Sequence, residues 1–237
     1  MLPPMAKVPV VLEIGSKRTF ACALDWPGWA RSARSSLGDE AALAALMQYA
    51  VRYAPIADRA GYGARFDTVA RAADRSLTVV DHLAGDATTD FGAPSRSTEL
   101  EEPALVEGDA RRVVALLDAG WQALDELAAS APALLRKGPR GGGRDRDAVV
   151  AHVVNAEVAY ARKLGLRQVS PPDPQSPAEV DDVRQRIRGA LASGLREAAP
   201  SDARRWPPRY TARRMAWHVL DHVWEIEDRI EPGPSSP

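Results

Sequence analysis

Cysteine is almost absent from this chain. Cys22 is the single one among 237 residues, so no internal disulfide framework exists, and a reducing compartment is the expected setting. Long apolar runs are missing as well. The longest, Ala41 to Val51, is interrupted by Gln48 and is far too short to cross a bilayer. The first eleven residues lack an apolar stretch followed by a small-residue cleavage site, so no secretory leader is expected. Neither sign of charge dominates: Lys and Arg number 31, Asp and Glu 32, and the formal net charge is -1. No global field therefore draws the chain toward nucleic acid or anionic lipid. These absences predict a cytoplasmic protein that engages neither membrane nor nucleic acid. Lysine is scarce beside arginine, and alanine is abundant, a bias that suggests a GC-rich, actinobacterial source.

What is present is ordinary for a globular fold, with 45% hydrophobic and 27% charged residues and length enough for one large or two small domains. The first part reads as β then α. Val8 to Ile14 is a β-branched run, Gly15 to Arg18 is turn material, and Thr19 to Leu24 resumes an extended pattern. Asp25-Trp26-Pro27-Gly28 must break that strand, because proline lacks a ladder donor and glycine supplies unusual backbone angles. Trp29 to Arg34 predicts a third strand, the span from Gly38 to Arg59 a helical period, and Leu77 to Leu83 a further strand. Ala84 to Thr98, rich in Gly, Asp, Thr, Ser and Pro, reads as a linker.

Beyond residue 100 the pattern is helical only. Val113, Leu116, Leu117, Gly120, Trp121, Leu124 and Leu127 form one apolar stripe. A second helix begins near Asp145. A third follows Ser176-Pro177-Ala178-Glu179, which reads as a capping box with proline at the first helical position. A fourth runs from about Tyr210 to Ile230, and Glu231 to Pro237 reads as a disordered tail. The fold class is therefore α+β: residues 1–97 form a small α/β domain with its linker, and residues 98–237 an antiparallel four-helix bundle.

Three of the four histidines fall on the second and fourth helices of that bundle. His218 and His222 stand i,i+4, so both imidazoles project from one helix face a turn apart. His152 lies on the apolar side of the second helix, among Val149, Val153 and Ala156. Should the two helices pack together, one divalent ion takes a nitrogen from each of the three rings and keeps an open coordination position. Nitrogen donors suit zinc first, then nickel or ferrous iron, over magnesium or calcium. The competing reading is three separately satisfied core histidines.

A bundle histidine followed by His-x-x-x-His on the fourth helix resembles the DinB-like superfamily. The stretches Asp147 to Glu157 and Ala216 to His222 carry that resemblance, which spans about residues 102 to 231. It implies a metal-binding four-helix bundle with His152, His218 and His222 as ligands. It also implies an activity of the thiol S-transferase or isomerase kind on a small-molecule substrate, with mycothiol, bacillithiol or glutathione as co-substrate, of which mycothiol fits the actinobacterial bias of the composition. A metal-dependent hydrolase and a non-catalytic stress or regulatory protein stand as alternatives. The run Leu24 to Trp29, followed by Leu37 to Leu43, resembles a HicB-type small α/β fold over residues 8 to 85. Beside a metal-type bundle that module reads as a lid, a wall of the cleft or the dimerisation surface of a homodimer.

Asn155, Glu157, Asp221 and Glu225 are the groups placed to orient an imidazole through its other nitrogen, with Asp228 read as a solvated charge. The basic loop Arg136 to Arg146 leads into the N-terminus of the helix bearing His152. Arg140 and Arg144 on that loop, with Arg213 and Arg214 one turn before His218, are the candidates for holding a substrate carboxylate or phosphate. Trp217 and Trp224, which flank the histidine pair, read as packing or interface residues, His82 as an ordinary strand histidine and Cys22 as a small buried hydrophobe.

Overall fold

A computed structural model describes residues 7–138, 143–193 and 205–230. The tail from Glu231 to Pro237 lies outside the described residues, as does Arg140. The chain is mixed α+β, with a four-stranded sheet in its first third and helices throughout the rest. Strands β1 (Val8–Ile14), β2 (Arg18–Ala23) and β3 (Ala30–Arg34) form an antiparallel meander. Helices α1 (Gly38–Gln48), α2 (Ala50–Arg59) and α3 (Gly63–Ala72) then cross over to β4 (Leu77–Ala84), which pairs parallel with β1. The sheet order is β3-β2-β1-β4.

The central position of β1 explains its nearly unbroken apolar text, because both of its faces are covered. Val10 and Leu12 point to one side with Ala21, Ala23, Trp26 and Trp29, while Val11 points to the other with Phe20, Cys22 and Ala30. On the first side Trp26, Trp29, Tyr53 and Phe66 interlock, with ring centroids between 4.9 and 6.3 Å apart. Their polar edges are satisfied: the Trp29 indole donates to Leu46 O at 2.9 Å and the Tyr53 hydroxyl to Pro27 O at 2.8 Å. The single helical period between Gly38 and Arg59 resolves into two helices divided at Tyr49, with Pro55 inside α2. Helix α3 was not foreseen in the sequence.

The segment from Ala84 to Thr98, expected to be a linker, is firmly built. Asp86 caps α4 (Ala87–Phe91) in a complete capping box. Glu13 is buried and accepts hydrogen bonds from Ser95 N at 2.9 Å, Arg96 N at 3.0 Å and the Thr89 hydroxyl. Polar composition here marks a chain that wraps a buried carboxylate, not a free spacer.

Four long helices follow: α5 (Glu107–Ser130), α6 (Arg146–Lys163), α7 (Pro177–Ala192) and α8 (Pro208–Arg229). The expected cap of α7 is half formed. Ser176 accepts from Glu179 N at 3.4 Å, but the Glu179 side chain turns to Asp173 N at 2.9 Å. Contacts between the helices set their directions. Arg209 reaches Asp109 at 2.5 Å, and Gly120 lies against Val219 and Leu220, so α5 and α8 run the same way. Arg188 pairs with Asp118 and Arg184 with Asp125, so α7 runs opposite to α5. His152 meets His218 and His222 while Tyr160 meets His218 and Arg214, so α6 runs opposite to α8. Successive helices therefore do not alternate throughout, as a wholly antiparallel bundle requires: α6 and α7 are parallel. The reason is the connection between them. Helix α7 has 16 residues and is about 24 Å long. An extended chain over residues 164–176 spans that distance at ~3.3 Å per residue.

Helix α8 is the shared wall. Its Trp217 packs edge-on against Phe20 at 5.9 Å, covering the second face of the sheet. Gly28, at φ +93°, brings the turn after β2 against Ala216 and Leu220; a Cβ there would come within 2.6 Å of Leu220. On the other side of α8 are α5 and α6, and one continuous apolar core includes the aromatic cluster and all four long helices. Among the described residues no helix is long and apolar enough to cross a membrane.

Candidate metal centre

The sequence of α8 explains how it carries polar groups through a buried environment. Arg214, His218 and His222 are spaced by four, and Glu225 and Arg229 continue the same stripe by three and four. The rest of the helix between Pro208 and Leu220 is buried apolar or tied surface. Helix α6 sets His152 opposite that stripe.

The three imidazoles meet. Their ring centroids are 5.1 Å (His152–His218), 5.0 Å (His152–His222) and 4.7 Å (His218–His222) apart. One nitrogen from each lies within 4.8 Å of the others, and His152 Nε2 is 3.3 Å from His218 Nε2. Two nitrogens held about 2.0–2.1 Å from one tetrahedral ion stand roughly 3.3 Å apart, so that edge already has the dimension an ion needs. The same separation also fits a shared proton in the absence of an ion.

Electrostatics favour the neutral form of two of the rings, His152 and His218, and keep their lone pairs available. Burial, followed by the neighbouring His222 and Arg214, pushes the His218 imidazole down to about 2; burial and His222 also lower His152. Metal ligation requires this deprotonated state. His222 donates from Nδ1 to Glu225 at 2.7 Å, which leaves its Nε2 free, and Glu225 in turn receives Arg229 at 2.7 Å. Arg229 closes the chain by donating to Arg136 O at 2.9 Å, fastening the basic loop to the site. The donor set and its outer hydrogen bond thus fit a divalent ion with three nitrogen ligands and an open position.

The other sequence-derived candidates separate clearly. Glu225 is the one that meets an imidazole, accepting from His222 Nδ1. Asn155 is exposed and Asp221 points to the sheet side, where it pairs with Arg31 at 2.7 Å. Glu157 is buried elsewhere, between α5, α6 and α7, against Arg184 at 3.2 Å. Asp228 pairs with Arg52. Each of these three carboxylates faces away from the imidazoles because its helix position is rotated off the histidine stripe. Arg213 is consumed by Glu101 at 2.6 Å, whereas Arg214 lies over Tyr160 and Trp217 beside His218. Arg144 is exposed, near enough for its charge to act on His152 and His218. Trp217 and Trp224 both serve the contact with the first third of the chain: Arg31 is held between the Tyr49 ring at 3.6 Å and the Trp224 ring at 4.3 Å. His82 lies on β4, half-exposed, 3.1 Å from Asp39.

Tyr160 and Arg229 were not singled out in the sequence. Arg229 had a readable signal, i,i+4 from Glu225; Tyr160 had only its place on the apolar stripe of α6. Cys22 is fully buried and its thiol is pushed up to about 12 by that burial, so it supplies no thiolate at neutral pH.

No family model, curated protein or solved structure matches the chain.

Proposed function

We propose that the chain is a divalent-metal-dependent enzyme of the DinB-like kind, of the thiol S-transferase type, with a HicB-like module packed against its bundle. The observation that carries this reading is the convergence of three imidazole nitrogens within 4.8 Å of one another, with one ring oriented by Glu225. His152, His218 and His222 hold the ion, with zinc first and nickel or iron as alternatives. A bound divalent ion supplies the Lewis acidity that keeps a coordinated thiol deprotonated at neutral pH.

The chain's own residues do the remainder. Glu225 fixes the His222 tautomer through Nδ1, and Arg229 holds Glu225 in place. Burial of His218, only 8% exposed, excludes water from the inner side of the site. The protein's own thiol is sealed beneath Trp217, so the nucleophile must be a small-molecule thiol; the arginine-rich composition makes mycothiol the first to try. Metal analysis of the purified protein tests the reading. One equivalent per chain is expected, with loss in both His152→Ala and His218→Ala. Unchanged stoichiometry in both variants would refute the site. A screen of low-molecular-weight thiols with electrophiles then separates an enzyme from a non-catalytic metal protein, and turnover must vanish on chelation.

A further inference from the structure

Four arginines are buried among the described residues: Arg112, Arg184, Arg213 and Arg214. Three have acid partners. Arg112 meets Asp109 and Asp25, Arg184 meets Glu157 and Asp125, and Arg213 meets Glu101. Arg214, 9% exposed, contacts no carboxylate among the described residues, and its Nη1 is buried without a hydrogen-bond partner. Among the described residues its guanidinium is held by rings, 4.6 Å above Trp217 and 5.4 Å above Tyr160. Stacking on rings offsets part of the desolvation but fills none of the donor positions. A guanidinium cannot escape by losing its proton, so a buried cation with idle donors stands in the protein.

Its position gives that cation a use. Arg214 is four residues before His218, one turn along the same stripe, and Tyr160 bridges the two, with its ring 5.8 Å from that of His218. The nearby acids are already engaged, Glu101 by Arg213 and Glu225 by His222 and Arg229. We propose that Arg214 receives the carboxylate of the bound small molecule, which makes this a site for short carboxylic acids. The planar fork accepts a carboxylate in two parallel hydrogen bonds, and one unpaired cation matches one negative charge. A helical turn of about 5.4 Å separates the anchor from the histidines, so carboxylate and reacting atom belong a few bonds apart in the ligand. The assignment rests on the metal reading for its reacting end, but the anchor itself is testable without metal.

The metal-free test titrates propionate against the Arg214 Nε–H NMR resonance, identified by its absence in Arg214→Gln. A saturable shift is expected, and no shift overturns the anchor whatever the metal result. The second test uses cobalt-loaded protein and the thiolate charge-transfer band. Two-carbon thiols differing only in charge are compared: thioglycolate, mercaptoethanol and cysteamine. Should the carboxylate belong to the thiol, thioglycolate binds about tenfold more tightly than mercaptoethanol. Cysteamine is then weakest, and Arg214→Gln removes the preference while cobalt stoichiometry stays unchanged. Arg214→Lys, which keeps charge but not the fork, recovers only part of it. Should it belong to the electrophile, the preference appears instead as faster alkylation of mercaptoethanol by iodoacetate than by iodoacetamide, relative to Arg214→Gln. There the sulfur–carbon bond forms as iodide leaves. Absence of both preferences overturns the proposal, and failure to bind cobalt sinks the metal reading alone.

Discussion

His218 combines three properties that rarely coincide: it is buried, it faces two other imidazoles, and a cation stacks one turn away. An unfolded histidine titrates near 6.5, whereas this one is held at about 2. Below pH ~6.5 the unfolded chain therefore takes up a proton that the folded chain refuses, and stability falls with pH by up to ~1.4 kcal/mol per unit from this group. Urea midpoints of metal-free protein between pH 6.5 and 5 should show that slope, and His218→Gln should flatten it. An equal slope in the variant would assign the acid sensitivity elsewhere. Glu225 makes a separate prediction. Removing its hydrogen bond to His222 as Glu225→Ala should weaken zinc affinity by about 10- to 100-fold without abolishing one-to-one binding. Competition with a chromophoric chelator measures this directly, and affinity equal to wild type would show that the contact has no part in ligation.

Among the helices, α7 is fastened to α5 and α6 by ions in the interior. Arg184 and Glu157 are 5% and 1% exposed in their side chains and meet at 3.2 Å, and burial raises the Glu157 carboxyl despite the pairing. Breaking such a pair leaves one charge buried alone, so Arg184→Met should cost about 3–5 kcal/mol. The double variant Glu157→Leu with Arg184→Met should regain most of that in chemical denaturation; full additivity of the two losses would argue against coupling. The strands and the four long helices were readable because their identity depends on local text, whereas the short helices α3 and α4 carry too few apolar repeats to announce themselves. The β-branched run of β1, the Pro-Gly turn and the Ser176-Pro177 helix start each specify their own backbone. Helix direction was not, because it depends on whether the Pro-rich stretch before Ser176 doubles back or runs the length of a helix. The same division holds in the site. The spacing of His218 and His222 put two rings on one face, and His152 stood out on an apolar stripe. Which acid reaches an imidazole depends on rotations about α8 that place Glu225 inward and Asp221 toward Arg31.

Across the molecule, the apolar core passes without a break from the aromatic cluster around Trp26 and Tyr53 to the four long helices. Ion pairs such as Arg59 with Glu126 and Arg52 with Asp228 reinforce the contact from the outside. A single cooperative unfolding transition is expected, with near-ultraviolet and far-ultraviolet dichroism melting together. Two separated midpoints would instead show that the sheet and the long helices fold as independent units. Gly28 offers a finer probe of this union. Its positive φ and its buried seat against Leu220 make Gly28→Ala costly by at least ~1 kcal/mol, although it belongs to a turn of the first third and not to a long helix.

Helix α8 presents imidazoles to one neighbour and an indole to another. His218 and Trp217 are adjacent residues of one helix, their ring centroids 6.3 Å apart, so a displacement of the backbone at one is carried to the other. Occupancy at the histidines should then be audible on the far side: amide exchange along β2, around Phe20 and Cys22, slows when an ion loads the rings, though no ligand touches that strand.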